Sequence, residues 1–188
     1  MRNTFKVIAP LLVAILLLQE TYTWADTSPY QLKAAFVHKF LLFIDYPESS
    51  NKEDASKQIT ICIYGQNPFK NFFNPVIGTS IKGRKLTVKH LRPNSKVDTL
   101  LKCQAIFFSQ KNKSNLVKRT LKKVKNQPIL TIGENKNFLK WGGLIRLYEF
   151  ENRTVFDINV KEGTLSQIRF RSQMLRIAEN VIDYEPNQ

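Results

Sequence analysis

The side chains whose types and spacing bear on chemistry are few: Cys62 and Cys103, His38 and His90, the acids Glu149, Glu151 and Asp157, and the arginines Arg169 and Arg171. Neither cysteine belongs to a Cys-x-x-Cys pair, which argues against a redox catalyst. Outside the cytoplasm an even pair of cysteines favours a disulfide over a metal site, and two buried free thiols are the alternative. Zinc would want His or Cys in short paired spacings. His38 stands alone in an apolar stretch and His90 at a strand end, so both read as structural histidines. There is no G-x-S-x-G elbow and no G-x-x-x-x-G-K phosphate loop among the seven glycines. No nucleophile has a visible base partner, so no catalytic residue, metal or cofactor is expected.

Arg169 and Arg171 flank Phe170. In an extended stretch two side chains two residues apart share one side, and the pair would clamp a phosphate or carboxylate. In a helix they diverge by about 200° and the clamp is lost. A solvated basic face is the plainer reading of the pair. The acids Glu149, Glu151 and Asp157 lie around a turn signal, where they either pair across strands or stay solvated. Asn112-Lys113-Ser114 and Asn152-Arg153-Thr154 fit the glycosylation sequon, which matters only in a eukaryotic secretory pathway.

The N-terminus sets the compartment. Arg2 and Lys6 precede an apolar run at residues 7–18, broken only by Pro10, and Thr23-Trp24-Ala25 suits a signal peptidase. Residues 1–25 therefore read as a signal peptide cut after Ala25. The run is shorter than the roughly 20 residues a bilayer-spanning helix needs. The chain carries a net charge of +14, and removing residues 1–25 leaves +13. Export argues against a nucleic-acid partner, and the basic residues have no aromatic-interleaved groove motif. A solvated basic surface, or one attracted to an anionic membrane, fits better. Residues 26–188 are expected to form one α/β domain, since no linker or repeat divides them.

The elements that must position these groups follow from periodicity. Ser28-Pro29 marks a helix start, and residues 30–45 carry Ala34, Val37, Leu41 and Ile44 on one stripe. Phe36, Phe40 and Phe43 widen that stripe, so the helix must be sandwiched or lie at an interface. Strands are expected at residues 58–64, 85–91, 105–109 and 129–132, with helices at 68–76 and 114–125 and a short helix or turn at 97–103. Two further strands, 144–150 and 155–160, would form a hairpin through Glu151-Asn152-Arg153-Thr154. A last helix is expected at about 167–181, with Phe170, Met174, Leu175, Ile177, Ala178 and Val181 on its inner face. The fold class is α/β: a mixed, mainly parallel sheet flanked by helices on both faces, closed by a hairpin and a final helix.

Several of these segments resemble one family in order and spacing. Tyr30-Gln31-Leu32-Lys33-Ala34-Ala35-Phe36, then Phe40 and Asp45-Tyr46-Pro47, resembles its opening "LKAAF…F…F…WP" helix, with Tyr46 at the usual Trp position. Ile61-Cys62-Ile63-Tyr64-Gly65 with Asn67-Pro68-Phe69, and Cys103-Gln104-Ala105-Ile106-Phe107-Phe108-Ser109, are similar to its first strand and turn and its central strand. Ile129-Leu130-Thr131-Ile132, Phe138, Gly142-Gly143 and Ile145 follow, then Phe156-Asp157-Ile158-Asn159 and Ser172-Gln173-Met174-Leu175-Arg176-Ile177-Ala178. The chain thus resembles the YfiR family of bacterial periplasmic proteins over nearly all of residues 26–188. The resemblance implies a non-enzymatic, usually dimeric α/β protein whose partner is the periplasmic region of an inner-membrane diguanylate cyclase. Restraint of that cyclase would lower cyclic di-GMP, and release under envelope or redox stress would promote biofilm formation. It also implies disulfide-dependent stability: Cys62 and Cys103 match two cysteine positions, while a further pair found in some members is absent here. Two other expectations compete: a periplasmic sensor or carrier of a small anion or other small ligand, using Arg169, Arg171 and a pocket beside Gly142-Gly143, and an envelope enzyme assembled from distant residues.

Overall fold

A computed structural model of the chain describes residues 28–47 and 58–183. The expected signal peptide and most of the polar segment after Pro47 lie outside the described residues. The chain starts with helix α1 (Pro29–Leu42) and continues through strands β1 (Ile44–Asp45), β2 (Gln58–Tyr64), β3 (Ser80–Ile81) and β4 (Arg84–Leu91). Helix α2 (Val97–Leu100), β5 (Ala105–Phe108), α3 (Ser114–Lys123) and β6 (Leu130–Gly133) follow. The last part holds β7 (Ile145–Phe150), β8 (Arg153–Asn159), α4 (Val160–Leu165), β9 (Arg169–Phe170), α5 (Ser172–Ile177) and β10 (Asn180–Ile182).

Eight strands form one sheet in the order β10-β8-β7-β6-β5-β2-β4-β3. Strands β4, β2, β5, β6 and β7 are parallel to their neighbours in that run, and the β3–β4 and β7–β8 pairs are antiparallel. The central strands are apolar in both directions. Ala105-Ile106-Phe107-Phe108 and Leu130-Thr131-Ile132-Gly133 are buried throughout, because helices cover both faces of a parallel sheet. Alternation then sorts the side chains into two cores. Ile59, Ile61, Ile63, Ala105 and Phe107 pack under α1 and α5, while Cys62, Tyr64, Ile106 and Phe108 pack under α2 and α3.

Several local features depart from the sequence pattern, each for a physical reason. Ser28 occupies the N-cap and Pro29 opens α1, but the Ser28 hydroxyl makes no capping bond; its carbonyl accepts from Gln31 and Leu32. Helix α1 stops at Leu42, so that Ile44 and Asp45 can pair antiparallel with Phe170 and Arg169. The stretch expected to be a helix from Pro68 is turns and a single 3-10 turn, Asn74–Val76, with Phe69 and Phe73 still buried. The hairpin is tighter than expected. Phe150 pairs with Arg153, and the two turn residues Glu151 and Asn152 both take positive φ, as a two-residue turn between twisted strands demands.

The largest departure is at the C-terminus. No single helix spans 167–181. Asn159 caps the short α4 through Oδ1 to the Glu162 amide, Gln167 takes a φ of +56°, and Ile168 and Phe170 enter the core from extended backbone. Helix α5 then lasts six residues, Ala178 is extended, and β10 adds parallel to β8. The hairpin is thus not the sheet edge. Ile177 and Val181, expected to face inward, are 68% and 44% exposed.

Cys62 and Cys103 form a disulfide, joining β2 to the turn before β5 across 41 residues. Closing a loop of that length stabilises by about 4 kcal/mol on the chain-entropy account. The double variant Cys62→Ala/Cys103→Ala should lose up to that amount in urea unfolding. A loss below about 1 kcal/mol would show that the bridge adds little to the fold.

Candidate functional site

Three groups of side chains come together where the elements meet. The first is a buried ion pair. Lys33, on α1, places Nζ 2.7 Å from Glu134 Oε1, with the two side chains 9% and 3% exposed. Glu134 follows the fully buried β6, and its other oxygen accepts from the Gln110 amide at 2.8 Å and the Tyr30 hydroxyl at 3.2 Å. Burial, reinforced by the Glu134 charge, pushes the Tyr30 phenol up to about 12. Lys33 also lies 3.5 Å from Glu149. These bonds fix α1 to the carboxyl ends of β5 and β6. Sequence reasoning missed Glu134; its only signal was an acid placed directly after a buried strand.

The second group settles the two arginines. Arg169 and Phe170 are extended as β9, and Arg171 remains extended as the N-cap of α5. The geometry that permits a clamp is therefore present, but Arg171 is already engaged. Its guanidinium donates to Asp45 at 2.9 Å, and Lys82 reaches the same carboxylate at 2.8 Å. These two hydrogen bonds, Arg171 first, hold the Asp45 carboxyl down at about 2. Arg169 is exposed and lines a hollow of about 420 Å³ with Tyr46, Val160, Gln167 and Leu175. Gly142 lines a different hollow of about 240 Å³, so the structure does not join it to the arginine pair.

The expected acids also find partners. Asp157 is buried opposite Arg146 across the hairpin and accepts from Arg146 at 3.3 Å, Tyr148 at 3.1 Å and Asn180 at 2.8 Å. Glu149 accepts from its cross-strand neighbour Thr154 at 2.9 Å, and Glu151 stays exposed in the turn. His90 Nε2 contacts the Gly65 carbonyl. Burial, then the nearby Lys39 charge, lowers the pKa of the half-buried His38. Among the described residues no three His, Cys, Asp or Glu side chains cluster as metal ligands.

The third group is a groove of about 280 Å³ between α1 and α5, lined by apolar side chains and by Lys39. Phe40, 3% exposed, forms its floor, and its ring lies edge-on to Phe156 at 4.9 Å. Phe36 and Phe43 are half-buried and line it, and Leu32 and Ile177 stand exposed beside them. The three phenylalanines singled out by sequence are thus gathered in one place. Ile177 joins them because α5 ends early and turns it outward.

Residues 30–179 match the family described as YfiR/HmsC-like. The chain belongs to that family. The YfiR/HmsC-like proteins are periplasmic regulators rather than catalysts, and the disulfide fits such a compartment. Among the described residues no helix of this YfiR/HmsC-like chain is long and apolar enough to cross a membrane. No curated protein matches the chain. Its fold is similar to the crystal structure of a conserved domain protein from Vibrio cholerae, with a TM-score of 0.54 and 11% identity. That likeness covers 81% of this chain and 60% of the Vibrio protein.

Removing Glu134 leaves the buried Lys33 with only the more distant and more exposed Glu149 as a counter-charge. Glu134→Ala should destabilise the protein by about 3 kcal/mol in urea unfolding, and the double variant Lys33→Met/Glu134→Leu by less than that. Equal losses would show that lost packing, not the stranded charge, sets the cost. The Asp45 cluster gives a pH signature. Its carboxyl titrates lower in the folded chain than unfolded, so its contribution is full above about pH 4 and is lost as pH falls toward 2. The stability gap between the wild type and Asp45→Asn should therefore close over that window. A gap that persists at pH 2 would mean the asparagine disturbs packing instead.

Proposed function

We propose that this protein is a periplasmic, non-catalytic regulator that restrains an inner-membrane diguanylate cyclase by binding the cyclase's periplasmic region. The family match over residues 30–179 carries this reading. Three features support it. The N-terminal pattern is that of a cleaved secretory signal, which would deliver residues 26–188 to the periplasm. The disulfide suits an oxidising compartment. And the α1–α5 groove offers a contiguous apolar surface of the kind that marks interaction sites on soluble proteins.

The mechanism is protein–protein binding. Phe36, Phe43 and Ile177 supply half-buried and exposed apolar surface on a rigid floor of Phe40 and Phe156. Burial of such anchors in a complementary surface dominates affinity in most interfaces. A bound regulator would hold the cyclase in its inactive arrangement, and its release would raise cyclic di-GMP. A homodimer is also expected, and the same groove is open to a second copy.

Deleting the gene should raise cellular cyclic di-GMP severalfold, with complementation by the wild type but not by Ile177→Asp. Ile177 is 68% exposed, so the substitution should leave folding intact while weakening partner binding by about 2 kcal/mol, roughly thirtyfold. Unchanged cyclic di-GMP in a strain that expresses an inner-membrane diguanylate cyclase with a periplasmic region would overturn the reading. Light scattering on Ile177→Asp separates the two occupants: loss of a dimer assigns the groove to a second copy, and an unchanged mass assigns it to the partner.

A further inference from the structure

The face of the sheet opposite the groove has another character. Helix α3 covers the second core with Leu116, Val117, Leu121 and Val124, and turns its other side to solvent. Residues 111–125 contain Lys111, Lys113, Lys118, Arg119, Lys122, Lys123 and Lys125, and no acid. All seven are exposed. Lys122 and Lys125 line the hollow beside Gly142 together with Lys140 and Trp141, and one carboxylate, Glu162, faces these three ammonium groups. Lys118 lies over the Trp141 ring, 5.0 Å from its centroid.

Helix stability explains only part of this arrangement. Lys122 and Lys123 in the last turn complement the negative end of the helix dipole. At the other end the choice is unfavourable. Lys113 is the N-cap, it makes no side-chain cap, and the first turn holds no acid. Cations there oppose the positive end of the dipole, and Ser, Thr, Asp or Asn would cap better. A helix that gives up its cap for charge, and packs seven like charges into fifteen residues, is arranged for an anionic surface rather than for its own stability.

We infer that the α3 face docks on the anionic surface of a lipid bilayer. The cations run along the whole exposed side of α3 and on around the hollow beside Gly142, rather than gathering at one point. Trp141 sits half-buried among the lysines, where an amphipathic ring can settle at headgroup level. The attraction acts within about a Debye length, roughly 8 Å at physiological ionic strength, so the whole exposed side of α3 takes part. Since α1 and α3 cover opposite faces of the sheet, a docked molecule keeps its apolar groove clear of the bilayer. This inference goes beyond the cyclase reading and does not depend on it.

The test is cosedimentation of the purified chain from Asp26 with vesicles of phosphatidylglycerol or of phosphatidylcholine. Trp141 is then the only tryptophan and reports contact through its emission. The protein should pellet with the anionic vesicles, shift its emission, stay in solution with the zwitterionic ones, and be released by 0.5 M salt. Each basic residue held at an anionic surface is worth about fivefold in partition. Lys118→Gln/Lys122→Gln/Lys125→Gln/Lys140→Gln should therefore lower partition by roughly 600-fold, nearly three orders of magnitude. A control set on the groove side, Lys39→Gln/Lys70→Gln/Arg169→Gln/Arg176→Gln, removes the same charge and should keep most of the binding. All eight positions are exposed, so both variants should fold, as circular dichroism would check. Failure of the wild type to pellet with anionic vesicles at low salt would overturn the proposal. So would equal losses in the two variants, which would mean that net charge alone is at work.

Discussion

The need to cover a parallel sheet on both faces governs this molecule. β2, β5 and β6 are apolar on both sides, so neither face can be left to water. The chain meets that need with few helices. α1 and α5 take one face, α2 and α3 the other, and alternation along each strand delivers residues to two separate cores. The apolar groove and the basic face are both built on the outer sides of those covering helices. On one face the cover is itself apolar; on the other it is lysine-rich.

The groove follows from an excess of apolar surface on α1. Phe36, Phe40 and Phe43 widen its stripe beyond what the sheet can bury, and Phe40 alone reaches the floor. The walls are held at both ends by polar ties. Lys33 fixes the start of α1 to Glu134 at the end of β6. At the other end, the β1–β9 pairing and the Asp45–Arg171 bond tie the residues after α1 to β9 and the N-cap of α5. The Arg171 bond is therefore a structural tie. A groove whose walls are pinned in this way binds with less ordering cost than one that must assemble around its ligand.

Much of this was legible in the sequence, and the remainder was hidden for identifiable reasons. Long apolar runs such as Gln58–Tyr64 and the lysine-backed helix of residues 114–125 announce themselves, because burial and periodicity are local properties. The cysteine pair and the three phenylalanines were readable from residue type alone. The C-terminal segment was not. Phe170 and Met174 have helical spacing, yet one serves a two-residue strand and the other a six-residue helix, and the break between them is set by tertiary pairing with Ile44. Ile177 read as core because nothing local reveals that α5 ends beneath it. The ion pairs were hidden by distance: Lys33 and Glu134 are 101 residues apart, and Asp45 and Arg171 are 126 apart.

The two exposed surfaces have a common consequence. A protein with one functional face must choose between staying at the membrane and engaging a partner, since either contact covers the same surface. Here the charged and the apolar surfaces lie on opposite faces of one rigid sheet. Electrostatic contact with a bilayer is weak per residue and screened by salt, so it confines a molecule to the surface without fixing its orientation tightly. Apolar contact in a shaped groove is specific and little affected by ionic strength. A regulator built this way would search for its partner in the plane of the membrane rather than through the whole compartment. Its capture would depend on local concentration as much as on the affinity of the groove.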